Sequence, residues 1–464
     1  MRTTAKHEKN PHPLSPQVPM ALAFLLAILI GAFLLALPVA NTNGQWRDAV
    51  SALFTATSAT CVTGLSVIDV GSELTRFGQI VLITLIQFGG LGITTFGTFL
   101  LVLIGRRLSV QNEFALMDAY GVEAVKGIRA LLRWTMGFTL LFEGIGILVL
   151  WMRYMIPHPT LPLPNDPWTA LYYATFHAIS AFCNAGFSLH RDSLIAFQHD
   201  PIYLGMISFL VVAGGLGFLV HYNLMTTKFW RHNRMTRGRI TLHTKVVLIT
   251  TSALILLGLV FTLLLEMPHT LKGLPLTDKL LCALVHGISA RTAGFNIVPM
   301  SDIQEATRFI TAMLMLIGGS PGSAAGGIKT TTLVVLIMTV IAMCRNRRDT
   351  VLFNRTLPYT VVREAVVIFL LTLSLIAVAY GVLLLTEYPQ QGDDASKLFF
   401  ETVSAVGTVG LSIDHTGRLS NAGRWVIIVC MYVGRLGPLA VALLIGSRDE
   451  CQRIRYPEEE VIVG

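Results

Sequence analysis

The chain carries four long apolar segments, and each is followed by a shorter one. The long segments, which we call M1, cover Met20–Ala40, Trp134–Met152, Val246–Leu265 and Ala365–Leu385. Each has about 20 residues, enough to cross roughly 30 Å of hydrocarbon as a helix. The first M1 exceeds the apolar run of roughly 7 to 15 residues found in a signal peptide, so we expect it to be retained as a helix.

The shorter apolar segments cannot cross a bilayer. They cover Ala49–Thr60, Trp168–Cys183, Thr277–Ser289 and Leu398–Val406. A polar stretch containing glycine follows each of them, and then a second long apolar segment, M2. We therefore predict that each short segment is a half-span that enters the membrane and returns.

The polar stretches after the half-spans resemble one another. They read "SATCVTGLS" (58–66), "SAFCNAGFS" (180–188), "SARTAGFN" (289–296) and "SAVGTVGLS" (404–412), and the third is one residue shorter. A second glycine marker follows in M2, as "GGLG" (89–92), "GGLG" (214–217), "GGSPG" (318–322) and "GRLG" (434–437). The chain is therefore predicted to contain four copies of one unit.

The repeat predicts both the fold and its boundaries. Every unit begins and ends on the same side of the membrane, so the copies are parallel and arranged about an axis along the membrane normal. We predict an all-α integral membrane protein with four M1–pore loop–M2 repeats in a pseudo-fourfold arrangement around one central pore. The segments are tail 1–18, repeat 1 at 19–105, repeat 2 at 127–227, repeat 3 at 243–343 with a broken M2 helix, repeat 4 at 360–447 and tail 448–464.

Composition and charge fit this class. Hydrophobic residues make up 53% of the chain and charged residues 13%, which is typical of a membrane protein. The net charge of +8 comes from basic clusters between M2 and the next M1 and at the termini. This asymmetry predicts a multi-pass protein with both termini in the cytoplasm, lipid as its surroundings and no nucleic acid partner. The six cysteines lie too far apart to indicate a disulfide framework or a zinc site.

The polar stretches predict an ion path. Irregular backbone at membrane depth is tolerated where it packs in protein or lines water, and these stretches contain no carboxylate. Backbone carbonyls, with the hydroxyls of Thr63, Thr292 and Thr408 nearby, suit a dehydrated monovalent cation, whereas divalent ions usually require carboxylates. The predicted filter residues are Val62, Thr63, Gly64, Asn184, Ala185, Gly186, Thr292, Ala293, Gly294, Thr408, Val409 and Gly410.

The third M2 segment cannot stay helical. Each Gly costs about 1 kcal/mol and Pro about 3 kcal/mol relative to Ala inside a helix. The break contains Gly318, Gly319, Ser320, Pro321, Gly322, Ser323, Gly326 and Gly327. We predict a loop that obstructs the pore as a movable gate, and a passive kink is the alternative.

Several charged or titratable residues lie within apolar segments. A charge near the bilayer centre costs roughly 2.5 to 3.5 kcal/mol on insertion scales, so Arg435 and Lys329 each need a partner or water. Lys329 either snorkels or caps loop carbonyls. Glu143 is interpreted as a hydrogen-bonded link between helices, with ion binding as the alternative. His177 and His286, in the half-spans, are expected to be packed and neutral.

An intramembrane hydrolase is the competing enzyme hypothesis. Its nucleophile and base would be Ser180 with His177, or Ser289 with His286. Both pairs recur as part of the repeat, which indicates architecture, and we therefore predict that the chain is not an enzyme.

The motifs resemble a known superfamily. The four units, and especially "GGSPGSAAGGIKTTT" (318–332), are similar over essentially the whole chain to the Trk, Ktr and plant HKT potassium transporters. They are most similar to KtrB-type membrane subunits. The resemblance implies potassium uptake across a bacterial inner membrane, often helped by sodium. It also implies a homodimer on a cytosolic ring of nucleotide-binding KtrA-type subunits.

The resemblance also assigns residues. Family members with Ser in place of the first glycine favour sodium, so Gly64 predicts potassium. The equivalent of Arg435 borders the gate and raises a barrier to cations. No nucleotide site is expected in this chain, because Ile328 interrupts the near match to a phosphate-binding loop that ends at Thr330. A secondary carrier for another cation or a small solute remains the alternative function.

Overall fold

The computed structural model describes residues 17–92, 128–157, 166–226, 240–347, 349–387 and 395–445. Tail 448–464, residues 1–16 of the other tail and residues 93–105 of repeat 1 lie outside these ranges. Four described helices are long and apolar enough to cross a membrane, and they overlap the four predicted M1 segments. They are Val18–Ala36, Arg133–Met155, Leu242–Glu266 and Tyr359–Thr386. The prediction of four apolar M1 helices is therefore confirmed.

The first repeat places a short helix between two longer ones. Its helices are α1 (Gln17–Ala36), α2 (Ala49–Thr60), α3 (Val70–Glu73) and α4 (Arg76–Leu91), with a 3-10 turn at Pro38–Ala40. The half-helix α2 starts at the cap Asp48, whose carboxylate accepts the Ser51 amide at 3.0 Å. Capping of this kind satisfies amides that a helix start leaves free. α2 packs against both α1 and α4.

The second repeat follows the same plan. Its helices are α5 (Ile128–Met155), α6 (Pro167–Phe182), α7 (Pro201–Leu216) and α8 (Phe218–Thr226), with a 3-10 turn at Ile195–Phe197. Proline at the first helical position starts α6, where its missing amide costs nothing. The Thr169 amide, bonded to the Asp166 cap at 2.9 Å, lowers the pKa of that exposed carboxyl.

The third and fourth repeats complete the chain. Repeat 3 has α9 (Leu242–Glu266), α10 (Leu276–Ser289), α11 (Glu305–Met315) and α12 (Thr330–Cys344), followed by the hairpin β1 (Val351–Leu352) and β2 (Arg355–Thr356). Repeat 4 has α13 (Tyr359–Thr386), α14 (Ala395–Gly407), α15 (Asn421–Leu436) and α16 (Pro438–Ile445), with a 3-10 turn at Thr416–Arg418. The loop between α11 and α12 contains the glycine-rich break of repeat 3.

The M2 segments end at their glycine markers in the other repeats as well, which the sequence analysis did not anticipate. α4 stops before Gly92, α7 before Gly217 and α15 before Gly437, and these glycines have φ of 80°, 87° and 91°. Glycine takes this left-handed conformation at little cost and commonly ends a helix. At Gly217 the chain bends by 93° into α8. A broken M2 helix was predicted for repeat 3 alone, and in the structure the M2 helices of the other three repeats also end at the marker.

The marker also sets how closely M2 approaches the half-helix. The α-carbons of Gly89, Gly214 and Gly434 face the carbonyl oxygens of Thr60, Phe182 and Val406, and a β-carbon would collide with each oxygen. These oxygens lie at the ends of α2, α6 and α14. Small residues allow helices in membranes to approach closely, so the marker brings M2 against the end of each half-helix.

Burial follows the architecture of a membrane bundle. The half-helices are largely buried, whereas the M1 helices expose large apolar side chains such as Leu22, Leu140, Leu264 and Leu385. Apolar patches of this extent are unusual on a soluble monomer. The exposed faces suit contact with lipid, and the half-helices form the core.

Buried polar groups tie the end of M1 to the start of M2. Glu266 at the end of α9 accepts the Gln304 amide at 3.0 Å and the Thr307 hydroxyl. Glu387, after α13, accepts the Ser420 amide at 3.0 Å. Each carboxylate satisfies an amide at a helix start that would otherwise be left without a partner.

We expect Glu266→Ala to lower the thermal stability of the detergent-solubilised protein. The change leaves the Gln304 amide and the Thr307 hydroxyl unsatisfied in a buried place, which costs about 1 to 3 kcal/mol per group. Glu305→Ala is the matched control. The Glu305 side chain is 64% exposed, and its ion pair with Arg308, at 2.6 Å, should therefore contribute little to stability. Equal melting temperatures for the two variants would contradict the role of Glu266.

Candidate functional site

Each half-helix ends in a turn with the same unusual backbone. The first residues of the four turns have left-handed φ although none is glycine, namely Val62 (57°), Asn184 (59°), Thr292 (69°) and Thr408 (50°). The glycines two positions later have φ of 97°, 69°, 73° and 95° at Gly64, Gly186, Gly294 and Gly410. The sequence analysis assigned no special backbone to the four non-glycine residues. Valine and threonine adopt this conformation only where their surroundings impose it, whereas asparagine adopts it more readily.

The aligned serines hold the turns in place. The Ser58 hydroxyl accepts the Gly64 amide at 3.1 Å, and Ser404 accepts the Gly410 amide at 3.1 Å. In the other two repeats the hydroxyl of Ser180 or Ser289 instead donates to the carbonyl of the phenylalanine after the glycine, at 2.7 Å in both. The repeated Ser-Ala is therefore a structural anchor for the turn.

The turn of repeat 3 is one residue shorter than the others, and a hydrogen bond of shorter span closes it. In repeats 1 and 2 the middle residue, Thr63 or Ala185, donates its amide to the carbonyl of the serine five residues before it, at 2.8 Å. In repeat 3 the Ala293 amide bonds to Ser289, four residues before it, at 3.1 Å. The tighter turn still brings Thr292 and Gly294 into the same backbone conformation as their counterparts.

The four glycines contact one another in a closed cycle. A β-carbon on Gly64 would lie 2.5 Å from the Ala185 carbonyl oxygen, and one on Gly186 would lie 2.8 Å from that of Ala293. In the same way Gly294 faces the Val409 oxygen, and Gly410 faces the Thr63 oxygen. The turns therefore follow one another in chain order, and the last contacts the first. All twelve residues predicted for the filter lie in these four turns.

One cavity opens onto all four turns. It has a volume of about 420 Å³ and is lined by all four glycines and by the residues two positions after each, namely Ser66, Ser188, Asn296 and Ser412. Its walls also carry acidic and basic side chains, among them Asp69, Asp414 and Arg191. Four segments that lie far apart in the sequence therefore line the same cavity.

The predicted threonine hydroxyls differ from one another. Thr292 donates to the carbonyl of Arg291 at 2.6 Å. The hydroxyl oxygens of Thr63 and Thr408 are buried and have no hydrogen-bond partner within the described part of the chain. Thr408 also contacts the loop of repeat 3, since a β-carbon on Gly326 would meet its side chain.

The loop of repeat 3, residues 316–329, is hydrogen-bonded at both ends. The Gly318 amide donates to the Ile328 carbonyl at 2.8 Å, and Ile328 donates to Leu316 at 3.2 Å. The loop also bonds to the marker of repeat 2, because the Ser320 amide donates to Gly215 at 3.1 Å and the Phe218 amide donates to Gly322 at 3.1 Å. These bonds satisfy part of the irregular backbone between α11 and α12.

Three cationic side chains bind carbonyls of this loop. Arg435 donates to Ala324 and, on its other side, to Gly89 of repeat 1. Lys329 donates to Ala325 at 2.7 Å, so it caps a loop carbonyl, one of its two predicted alternatives. The sequence analysis missed Arg291, which is buried and donates to Gly318 at 3.3 Å. The sequence distinguishes this residue in one way. It is a charged residue three positions before the aligned glycine, where the other repeats have Cys61, Cys183 and Gly407.

The remaining polar groups have structural partners. Glu143 accepts from the Gln87 amide group at 3.0 Å, which links α5 to α4. His177 lies 3.0 Å from the Ser188 hydroxyl, and His286 lies 3.1 Å from that of Thr311. Because Ser180 and Ser289 bond to backbone carbonyls, neither nucleophile–base pair of the hydrolase hypothesis is formed.

Comparison with known proteins gives a family match over most of the chain. A family model described as TrkH, cation transport protein, matches residues 15–450. The Ktr system potassium uptake protein B of Bacillus subtilis (strain 168) is 37% identical over 97% of this chain and 96% of the relative. The protein of the same name from Vibrio alginolyticus is 38% identical over 96% and 94%. The resemblance noted from the motifs is thereby confirmed.

Two further relatives extend the comparison. The potassium/sodium uptake protein NtpJ of Enterococcus hirae is 34% identical over 97% of this chain and 98% of the relative. The crystal structure of the potassium transporter TrkH from Vibrio parahaemolyticus matches with a TM-score of 0.73 at 19% identity, covering 95% of this chain and 86% of that one. The structural match shows a shared fold.

We expect Gly410→Ala to destabilise the protein. Alanine is disfavoured at a φ of 95° by about 1 to 2 kcal/mol, and its β-carbon would collide with the Thr63 carbonyl oxygen. Gly205→Ala is the control, because a β-carbon there has no neighbour within 4 Å and helix propensity favours alanine. Melting temperatures in detergent should fall for the first variant only, and a fall in both or in neither would argue against the packed cycle of turns.

Proposed function

Because this chain belongs to the TrkH family of cation transport proteins, we propose that it takes up potassium through a filter formed by the four glycine turns. The observation that carries the proposal is that Gly64, Gly186, Gly294 and Gly410 line one cavity. We further propose that the four repeats surround this pore with pseudo-fourfold symmetry. The cyclic contacts between successive turns support that arrangement.

The chemistry of the turns favours a monovalent cation. Each half-helix points its C-terminal end at its turn, where the helix dipole contributes about half a negative charge. Carbonyl oxygens on several sides can replace the hydration shell of an ion without carboxylates. The twelve residues from Val62 to Gly410 named above are therefore the proposed filter.

Potassium is the ion that the first glycine and the relatives support. The first turn has Gly64, the residue that the resemblance associates with potassium. The two relatives named Ktr system potassium uptake protein B match nearly the whole chain. Sodium stays in the proposal as a coupled or additional ion, since one relative is named a potassium/sodium uptake protein.

The loop between α11 and α12 is proposed to be the gate. It lies against the filter turn of repeat 4 at Thr408, and its carbonyls are held by Arg435 and Lys329. Two cations beside the path oppose the passage of a third. Opening would require the loop to leave Gly215 and Arg435, and the exposed hydrogen-bonding groups would then meet water in the open pore.

The assembly and membrane placement follow from the family and the charge pattern. We propose a homodimer in the bacterial inner membrane with both termini in the cytoplasm. A cytosolic ring of nucleotide-binding subunits of the KtrA type would control it, as the resemblance to the family implies, and the relatives are named as part of a Ktr system. No nucleotide site is assigned to this chain.

The alternatives have less support. The relatives are named as transporters, so the chain is not an enzyme, as the sequence analysis predicted. A secondary carrier for another cation or a small solute would use the same cavity. It would not require the cycle of backbone carbonyls that the four glycines permit.

We expect Gly64→Ser to reduce the preference for potassium over sodium. The serine β-carbon would press on the Ala185 carbonyl, 2.5 Å away, and would distort the neighbouring turn. Uptake of both ions is measured in cells that lack their own potassium transporters, at equal amounts of membrane protein. Gly205→Ser is the control because its β-carbon meets no neighbour within 4 Å, and an unchanged ratio in Gly64→Ser would refute the filter.

Deletion of residues 319–325 is expected to raise potassium flux. The deletion removes the part of the loop that binds Gly215 and Arg435 and that obstructs the path in this proposal. Flux is measured in proteoliposomes with purified protein, and a monodisperse elution profile serves as the folding control. Equal or lower flux in well-folded protein would favour the passive kink.

A further inference from the structure

One position in the half-helices has a role that neither the pore nor the gate explains. It lies three residues before the aligned serine and is occupied by Thr55, His177, His286 and Glu401. All four side chains are buried, the last with 0% exposure, and none of them lines the cavity. A buried carboxyl group close to an ion path requires a structural explanation, because burial without partners is costly.

His177 binds the segment that follows the turn of repeat 2. Its Nε2 atom accepts the Leu189 amide at 3.3 Å and lies 3.0 Å from the Ser188 hydroxyl oxygen. Its Nδ1 atom lies 2.8 Å from the Tyr173 carbonyl oxygen. Since Nε2 accepts an amide proton and Nδ1 faces an acceptor, the imidazole is neutral and carries its proton on Nδ1.

Glu401 makes the same contacts in repeat 4 with different chemistry. Its Oε1 atom accepts the Ile413 amide at 3.3 Å and also the Ser412 hydroxyl. Its Oε2 atom accepts the Thr416 hydroxyl at 2.9 Å. Ser412 and Ile413 follow Gly410 by the same number of residues as Ser188 and Leu189 follow the glycine of repeat 2.

The other two repeats lack this connection. His286 bonds to the Thr311 hydroxyl in M2 at 3.1 Å. The Thr55 hydroxyl donates to the Ser51 carbonyl of its own helix at 2.9 Å. The turns of repeats 2 and 4 are therefore braced by their own half-helix, and the other two, which we call unbraced, are not. In repeat 3 the Asn296 amide bonds instead to the Ser193 hydroxyl of repeat 2 at 3.2 Å. In the cycle of contacts between the glycines, the braced turns of repeats 2 and 4 alternate with the unbraced turns of repeats 1 and 3.

We propose that His177 and Glu401 are positioning residues that set ion preference by fixing the outer ends of the filter turns of repeats 2 and 4. The inference rests on the proposed glycine filter. In the account of selectivity by cavity size, carbonyls discriminate potassium from the smaller sodium ion by keeping their spacing when sodium enters. His177 and Glu401 each bind the hydroxyl two residues after the filter glycine and the amide three residues after it. Without these bonds, that end of the turn can move inward and contact the smaller sodium ion.

The test compares His177→Leu and Glu401→Leu in the full chain. Potassium and sodium uptake are measured in cells without their own potassium transporters, at equal membrane protein. We expect the potassium-to-sodium ratio to fall by about fivefold or more in each variant, which corresponds to about 1 kcal/mol. His286→Leu is the matched control, since it removes a buried imidazole at the same position without touching the turn, and its ratio should not change.

Further variants separate bracing from charge and from misfolding. Glu401→Gln keeps an acceptor oxygen for the Ile413 amide and should retain the ratio, and a fall equal to that of Glu401→Leu would overturn bracing in favour of charge. If the leucine variants fail to accumulate, Ser188→Ala and Ser412→Ala remove the hydroxyl partner of each brace. Their ratios should fall by about threefold, and unchanged ratios would overturn the proposal.

The Gly64→Ser variant distinguishes failure of the bracing inference from failure of the glycine filter. If it loses potassium preference while His177→Leu and Glu401→Leu keep the ratio of His286→Leu, the bracing inference fails and the filter stands. If Gly64→Ser also keeps the wild-type ratio, the glycine filter itself is wrong.

Discussion

The structure depends on hydrogen-bond partners for the amides and carbonyls of non-helical backbone that is buried within a membrane protein. Four turns and one long loop leave the helical pattern inside the bundle, where irregular backbone must find partners in protein or line a water-filled cavity. The aligned serines, the carbonyls at the half-helix ends and the cation Arg435 supply most of the missing partners. Without these bonds the turns could not keep their left-handed residues, and the cavity that they share would not exist.

Much of this arrangement could be predicted from the sequence because it depends on length, hydrophobicity and repetition. The four M1 helices, the half-helices and the positions of the glycines in the four turns follow from patterns that recur four times. The glycine-rich break of repeat 3 was predictable because glycine and proline are poor in helices. The pairing of Arg435 with Ala324 was not, because side-chain partners over a hundred residues apart leave no local pattern.

What the sequence did not predict depends on geometry that residue type alone does not determine. The left-handed backbone of Val62 and Thr408 is imposed by the turn, and neither residue prefers it. The M2 helices stop at Gly92, Gly217 and Gly437 but run through the earlier glycines of each marker, so residue type alone does not determine where the helix ends. Arg291 stood in a quoted motif, but only the position of Gly318 shows what it binds.

The contact between Gly410 and the Thr63 carbonyl joins the last repeat to the first. A ribosome delivers these two segments at opposite ends of synthesis, so the first turn emerges long before its neighbour exists. Arg435, which joins Gly89 to the loop of repeat 3, is also made late. Insertion of the final repeat is therefore the step that closes the cycle of turns, and a nascent chain that stops earlier lacks the lining that Gly410, Ser412 and Thr416 give to the shared cavity.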